Sequence, residues 1–253
     1  MFHKPTERVL SIFNLLSGHP QGLTLTQISQ QLAIPKSTIS PILQEMVFQN
    51  YLYLNNNSGR YFLGISLHAI ASSYDITNEL IPQVRRIMQR ITQETNEMCQ
   101  LGILEGSEIL YLVKEVPTEE SPIQIISYTG KKLPAYATAL GKALLSSYTR
   151  EELEALYPEG LTAITPNTIT DFDRLWEQLQ EIKTTDIAYE SEEVTPFLCC
   201  YATPIVLTTD QSIALSISLP LFRTNDEKIA QIKEVLLHAK EEIENLHLLK
   251  IGN

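Results

Sequence analysis

The chain has little of what would tie it to an oxidising compartment or a membrane. It holds three cysteines in 253 residues (Cys99, Cys199 and Cys200), and two of them are adjacent. That is too few for a disulfide scaffold, so a reducing cytoplasm is the expected location. No run of about 18 apolar residues occurs, which argues against a membrane-spanning helix. The opening MFHKPTERVL lacks the apolar core of a secretory signal. The histidines (His3, His19, His68, His238 and His247) lie far apart, and neither a G-x-S-x-G elbow nor an H-E-x-x-H zinc helix is present. Gly141-Lys142-Ala143 lacks the spacing and the hydroxyl of a phosphate loop. Cys199-Cys200 is not a zinc pair, because neighbours on a strand point to opposite faces. No metal and no cofactor are therefore expected, and the chain is not expected to be an enzyme. The remaining enzyme reading, a hydrolase using Cys200, has no histidine close in sequence to serve as base.

Positive charge is also scarce. Lys and Arg number 19 against 30 Asp and Glu, a net charge of −11. A chain that is 43% apolar and 19% charged is globular with a sizeable core, and its length suggests one large or two small domains. The charge is unevenly spread. Residues 1–66 carry four Lys or Arg against two Asp or Glu, a net +2; the remainder carries 15 against 28, a net −13. A slightly basic front on a strongly acidic back suggests two units with different partners, the back avoiding phosphate backbones.

In the front, a helix is expected from about Thr6, with Val9, Leu10, Ile12, Phe13, Leu15 and Leu16 forming its apolar face and Gly18, Pro20 and Gly22 ending it. Thr24 and Gln27 have the spacing of a capping box, so a second helix opens there and buries Leu25, Ile28 and Leu32. After the turn Ala33-Ile34-Pro35, a third helix starts at Lys36-Ser37-Thr38 and buries Ile39, Ile42, Leu43, Met46 and Val47. Two short helices joined by a tight turn read as a helix-turn-helix, or else as a plain helical hairpin with a solvated polar face. The strand at 50–54, the turn at 55–59 and the returning strand at 60–64 add a wing. Lys36, Ser37, Thr38 and Ser40 at the start of the third helix, with Arg60 beside the wing tip, are the candidate DNA contacts.

These residues resemble the IclR family of bacterial transcription regulators: Gly22-Leu23-Thr24-Leu25, Ile34-Pro35-Lys36-Ser37-Thr38 and Gly59-Arg60-Tyr61-Phe62-Leu63-Gly64. One departure stands out. Family members often carry arginine or another polar group where this chain has Pro41, which cannot donate to the carbonyl of Ser37. Either the helix begins late, its axis bends, or its DNA contacts are unusual.

Behind the front unit a short linker helix is expected over 67–74, followed by a helix from Pro82 to about residue 96. Its Arg85, Arg86 and Arg90 are expected in solvent or in ion pairs with the acidic remainder. Strands are expected at 98–105, 108–116, 122–128, 197–207 and 212–219. Helices are expected at 138–147, 150–157, 172–183 and 224–248, the last opening on a Thr224–Glu227 capping box. The short connections make the sheet mostly antiparallel. The resemblance continues through Gly130-Lys131-Lys132-Leu133-Pro134, through 137–145, through Cys200-Tyr201-Ala202-Thr203-Pro204 and through 214–218.

The expected fold is α+β. It comprises a winged helix-turn-helix over 1–66, a linker helix over 67–80 and, by resemblance, a GAF-like effector-binding and oligomerisation domain over 81–253. Periodicity puts Leu198, Cys200 and Ala202 on one strand face and Ala214, Ser216 and Ser218 on one face of the next, either as a pocket wall or facing solvent. Free N–H groups at 137–141 suit a carboxylate. The resemblance implies an effector pocket at Leu133, Ala139, Leu140, Glu190, Leu198, Cys200, Ser216 and Ser218. It also implies a ligand-responsive regulator that binds double-stranded operator DNA as a homodimer or homotetramer and senses a small, carboxylate-bearing metabolite. Glu190 would repel such a carboxylate unless protonated or screened. Phe197 stands where glycine is common. The alternative is a sensor or interaction protein of the same fold with weak or lost DNA binding, motivated by Pro41 and the modest +2.

Overall fold

The computed structural model describes residues 3–72, 80–117, 127–208 and 211–251. They fall into two compact units, Met1–Leu80 and Ile81–Asn253.

In the first unit α1 (Lys4–Ser17) begins two residues before the expected Thr6. Pro5 fits the first turn, where a missing N–H costs nothing, and the Thr6 hydroxyl pairs with His3 Nδ1 at 2.8 Å instead of capping. Helix α2 (Leu25–Gln31) opens on the expected capping box: the Gln27 N–H donates to Thr24 Oγ1, and the Thr24 N–H donates to Gln27 Oε1 at 2.9 Å. The chain then turns through Ala33 at φ +53°, with the Ile34 N–H on the Ser29 carbonyl and the Ala33 N–H on the Gln30 carbonyl. This is a Schellman closure in which alanine occupies the left-handed position that glycine usually takes. Helix α3 (Lys36–Phe48) follows without a break through Pro41, its sixth residue. It does not begin late.

The expected strand at 50–54 starts at Leu52, because Asn50 adopts φ +61° to close α3. Strands β2 (Leu52–Asn55) and β3 (Arg60–Leu63) form the wing. At its tip the Asn55 side chain accepts the N–H groups of Asn57 and Ser58. A third strand, β1 (Leu23–Thr24), pairs with β3; two residues carry no periodicity that would reveal it. Ile12, Leu16, Ile28, Ile39, Leu43, Met46 and Leu52 form the core of this unit. Helix α4 (Ile65–Ser72) covers the front of the expected linker helix; residues 73–79 lie outside the described residues.

The second unit holds α5 (Leu80–Thr95), β4 (Met98–Glu105), β5 (Glu108–Glu115), β6 (Lys132–Pro134) and a 3-10 turn (Ala135–Ala137). Next come α6 (Ala139–Leu145), α7 (Arg150–Leu156), α8 (Phe172–Thr185) and β7 (Ala188–Ser191). The chain then makes β8 (Leu198–Thr208), β9 (Gln211–Pro220) and α9 (Asp226–Ile251). The six strands form one antiparallel sheet in the order β6-β5-β4-β9-β8-β7. The expected strand at 122–128 lies almost wholly outside the described residues. Strand β7 was not anticipated from the sequence. The long helix is capped by Asn225, whose Oδ1 accepts the Lys228 N–H at 2.8 Å; Thr224 instead donates to the Leu221 carbonyl. One face of the sheet packs on α9 through Ile232, Leu236, Ala239 and Ile243. The other face is covered by α6, with α8 beyond it. Arg85 and Arg90 make ion pairs with Glu115 and Glu242, as expected of them.

Candidate functional site

In the first unit, the end of α3 that carries the candidate DNA contacts faces outward. Lys36, Ser37 and Pro41 are exposed, and Thr38 and Ser40 are half-buried. The residue before the helix, Pro35, offers no side-chain cap. The leading N–H groups are therefore free of a side-chain acceptor, as a phosphate contact requires. Arg60 opens β3, and its Nη1 donates to the Gly22 carbonyl at 2.6 Å, which braces the wing against β1.

In the second unit, the sheet register decides which side chains meet. Cys200 lies opposite Ser218 on one side and Glu190 on the other; Ala202 lies opposite Ser216, and Ser216 opposite Gln100. Paired residues share a face, so Glu190, Cys200, Ser218, Ser216 and Gln100 all point toward α6. A bulge between Leu101 and Gly102 brings Tyr111 opposite Gly102 and hence onto the same face. Helix α6 can sit close because Gly141 has no side chain: a Cβ there would lie 2.1 Å from the Ala135 carbonyl oxygen. Thr138 caps that helix, its hydroxyl accepting the Gly141 N–H at 3.0 Å.

Between the helix and the sheet lies a cavity of about 30 Å³, room for a water or two. Leu133, Ala139, Leu140, Glu190, Leu198, Cys200, Ser216 and Ser218 all line it. Ser216 and Ser218 are buried and do not face solvent. Gln100, Tyr111, Ser127, Thr138, Val194 and Thr195 also line it, and sequence reasoning missed them. One signal was available: Gln100 is a polar residue inside the apolar run of β4, on the period-two face with Met98 and Gly102.

The wall is a connected hydrogen-bond chain. Gln100 Nε2 donates to Ser127 Oγ, Ser218 Oγ donates to Gln100 Oε1 at 3.3 Å, and Cys200 Sγ lies 3.1 Å from Ser218 Oγ. The Cys200 side chain also bonds the Glu190 carboxyl, which accepts the Glu193 N–H at 3.0 Å. Tyr111, Thr195 and Ser216 bring three further hydroxyl-bearing side chains to the lining, each residue over nine-tenths buried. Lys142, wholly buried, is ion-paired with Glu193 and donates to Gln178 Oε1 at 2.9 Å. Burial pushes the Glu190 carboxyl up to about 7, against the lowering effect of the Cys200 and Glu193 hydrogen bonds. Burial also lowers Lys142, opposed by Glu193, and raises the Cys200 thiol well above its ordinary range. A thiol so raised is not a nucleophile at neutral pH. Among the described residues no cluster of three or more side chains could hold a metal, and no helix is long and apolar enough to cross a membrane.

Comparison with known proteins agrees with both halves. Residues 5–55 match the IclR helix-turn-helix domain, and residues 69–245 match the bacterial transcriptional regulator IclR C-terminal domain. The chain is 31% identical over 242 residues to the HTH-type transcriptional regulator XynR of Escherichia coli K12, covering 92% of each. Its fold is similar to an IclR transcriptional regulator from Alicyclobacillus acidocaldarius, with a TM-score of 0.83 at 22% identity over 97% of this chain and 99% of that one. It is also similar to an IclR homologue from Microbacterium hydrocarbonoxydans, complexed with 4-hydroxybenzoate. That TM-score is 0.81 at 24% identity over 94% of this chain and 96% of that one. Family members are transcriptional regulators and not enzymes, and this chain, with a DNA-binding helix-turn-helix and an IclR effector domain, belongs to the IclR family.

Proposed function

We propose that this regulator senses a small carboxylate-bearing metabolite in the α6–sheet cavity and adjusts its hold on an operator accordingly. The observation that carries the reading is the convergence of eight family-implied residues on one buried space, which Tyr111 and Thr195 also line. A few oriented polar groups in an otherwise apolar wall suit a small polar ligand. The acid group pairs with hydroxyls, with the N–H groups at the start of α6 and with the Glu190 carboxyl in its protonated form. The Microbacterium homologue holds 4-hydroxybenzoate, an acid of this size and chemistry. A cavity of about 30 Å³ must widen to admit it.

In this reading Lys36, Ser37, Thr38, Ser40 and Arg60 contact double-stranded DNA. Residues 1–66 form the DNA-binding unit, 67–80 the linker, and 81–253 the effector and oligomerisation unit. A single winged helix covers too little DNA for tight binding, so a cytoplasmic homodimer or homotetramer on paired half-sites follows. The effector must bind two arrangements unequally, because tight binding alone shifts nothing.

The test is calorimetric titration with small aromatic and aliphatic acids, coupled to gel shift on the chain's own upstream DNA at two salt concentrations. An acid that binds and changes DNA occupancy, with the response blunted by Ser218→Leu, supports the reading; a response unaffected by Ser218→Leu moves the pocket elsewhere. A second reading, a sensor with lost DNA binding, is favoured by the exposed Pro41 within α3. Absence of any complex at low salt would select it.

A further inference from the structure

The cavity lacks the group that usually receives an anion. Among the described residues no lysine, arginine or histidine lines it, and the one carboxylic acid that does is Glu190, 2% exposed. Two lysines approach it without lining it: Lys114 on β5, opposite Gln100, donates to the Ser127 carbonyl at 2.7 Å, and Lys142 on α6 is ion-paired with Glu193 and donates to Gln178. The Lys142–Glu193 pair is electrically neutral. The other titratable groups facing Glu190 are the Cys200 thiol from β8, the Tyr111 phenol from β5 and Glu193 from the loop that follows β7. Burial raises both Cys200 and Tyr111, so neither carries charge at neutral pH. Strands β9 and β4 contribute only Ser218, Ser216 and Gln100, which do not titrate. From α8 the exposed Arg174 is felt by Lys142, and it does not line the cavity. Among the described residues that line the cavity, Glu190 is therefore the one whose charge can adjust.

An arriving carboxylate and an ionised Glu190 would be two like charges in one desolvated space without a lining cation. Paired carboxylates in that situation hold a proton between them. We infer that the cavity admits its acid only together with a proton, so that the bound carboxylate and Glu190 share one hydrogen. Atoms and charge balance simply: one monoanion and one proton enter, and the proton comes from solvent or already sits on Glu190. The burial that brings Glu190 up to about 7 means this proton is half in place near neutrality. Above neutrality the sensor thus reads the product of anion and proton concentrations. This inference rests on the carboxylate reading above.

Affinity for the acid is expected to fall about tenfold per pH unit above neutrality and to flatten below about pH 6. Two measurements decide it. The first needs no ligand: carbon-13 NMR of glutamate-carboxyl-labelled full chain should show one carboxyl titrating near neutrality. That signal should disappear in Glu190→Gln and shift in Cys200→Ala, so the assignment does not hang on one variant. Titration of this carboxyl in the ordinary range near about 4.3 overturns the inference. The second is calorimetry with a panel of monocarboxylates, 4-hydroxybenzoate among them, in buffers of different ionisation enthalpy. About one proton taken up per acid at pH 8, none at pH 6, and none at either pH in Glu190→Gln is the expected result. Acids that bind at pH 8 with no uptake leave the carboxylate reading standing and sink the proton coupling. A panel in which no acid binds, or only neutral amides bind, sinks both.

Discussion

Lys142 and Glu193 are ion-paired with side chains 0% and 5% exposed, joining the helix that opens on the cavity to the loop that flanks it. Glu193 also accepts the Ile169 N–H, and its own N–H holds Glu190. One buried pair thus fixes both the position of α6 and the orientation of Glu190, the only acid among the described residues of the cavity wall.

Removing one partner leaves the other charge buried and alone. Lys142→Met is expected to destabilise the second unit by about 3–5 kcal/mol, read from urea denaturation. The double variant Lys142→Met, Glu193→Leu should recover most of that loss, because it removes both desolvation costs. A double variant as unstable as the single one would show that the pair's neighbours, and not its charge, carry the effect.

Glu190 places a pH signature on stability. Its native carboxyl is raised from 4.5 to about 7, so between those values the native state binds more protons than the unfolded chain. Stability relative to Glu190→Gln should therefore be undiminished below pH 4.5. It should fall as pH rises toward 7 and level off above, by a total of roughly 3 kcal/mol. Chemical denaturation of both proteins from pH 4 to 9 checks this. A parallel course for the two proteins would mean that Glu190 titrates normally.

Ala33 holds a left-handed conformation at the helix-turn-helix turn, where its Cβ is a liability. Ala33→Gly is expected to raise the stability of the first unit by about 0.5–1 kcal/mol, the relief of strain outweighing the added freedom of the unfolded chain. Thermal denaturation of the two proteins in parallel measures it. A lower midpoint for the glycine variant would mean that the turn is not under strain.

Lys36 and Pro41 make opposite predictions on α3. Lys36→Ala should weaken DNA binding across sequences and reduce the slope of log affinity against log salt by about one. Pro41→Arg restores an N–H for the Ser37 carbonyl on a continuous, exposed helix face, and should tighten binding and steepen that slope by about one. Gel shifts over a salt series test both. Weaker binding by Pro41→Arg would give the proline a positive role at the interface.

The departures between sequence and structure share a cause. The Thr24–Gln27 capping box was legible because both partners are three residues apart and the chemistry is local. Thr224 was misjudged as a cap for the same reason in reverse: Thr224 and Asn225 are both good caps, and only the backbone conformation selects Asn225. The alternation of small and hydroxyl residues at Ala214, Ser216 and Ser218 was visible, but not whether that face met solvent or a helix. Tyr111 escaped notice because a one-residue bulge sets its facing, and a shift of one residue turns a strand over; Gln100 lies outside that bulge and was readable from period two.

Taken alone, the order of residues determined the winged helix-turn-helix, the family and the faces of β8 and β9. These depend on caps, turns and periodicities spanning a few residues. Tertiary structure alone decided that Tyr111 and Gln100 join the family-implied Glu190 in one cavity, and that Lys142 is spent on a partner 51 residues away and does not wait for a ligand. Those outcomes depend on strand order, register and exclusion of water, which exist only once distant segments are packed together.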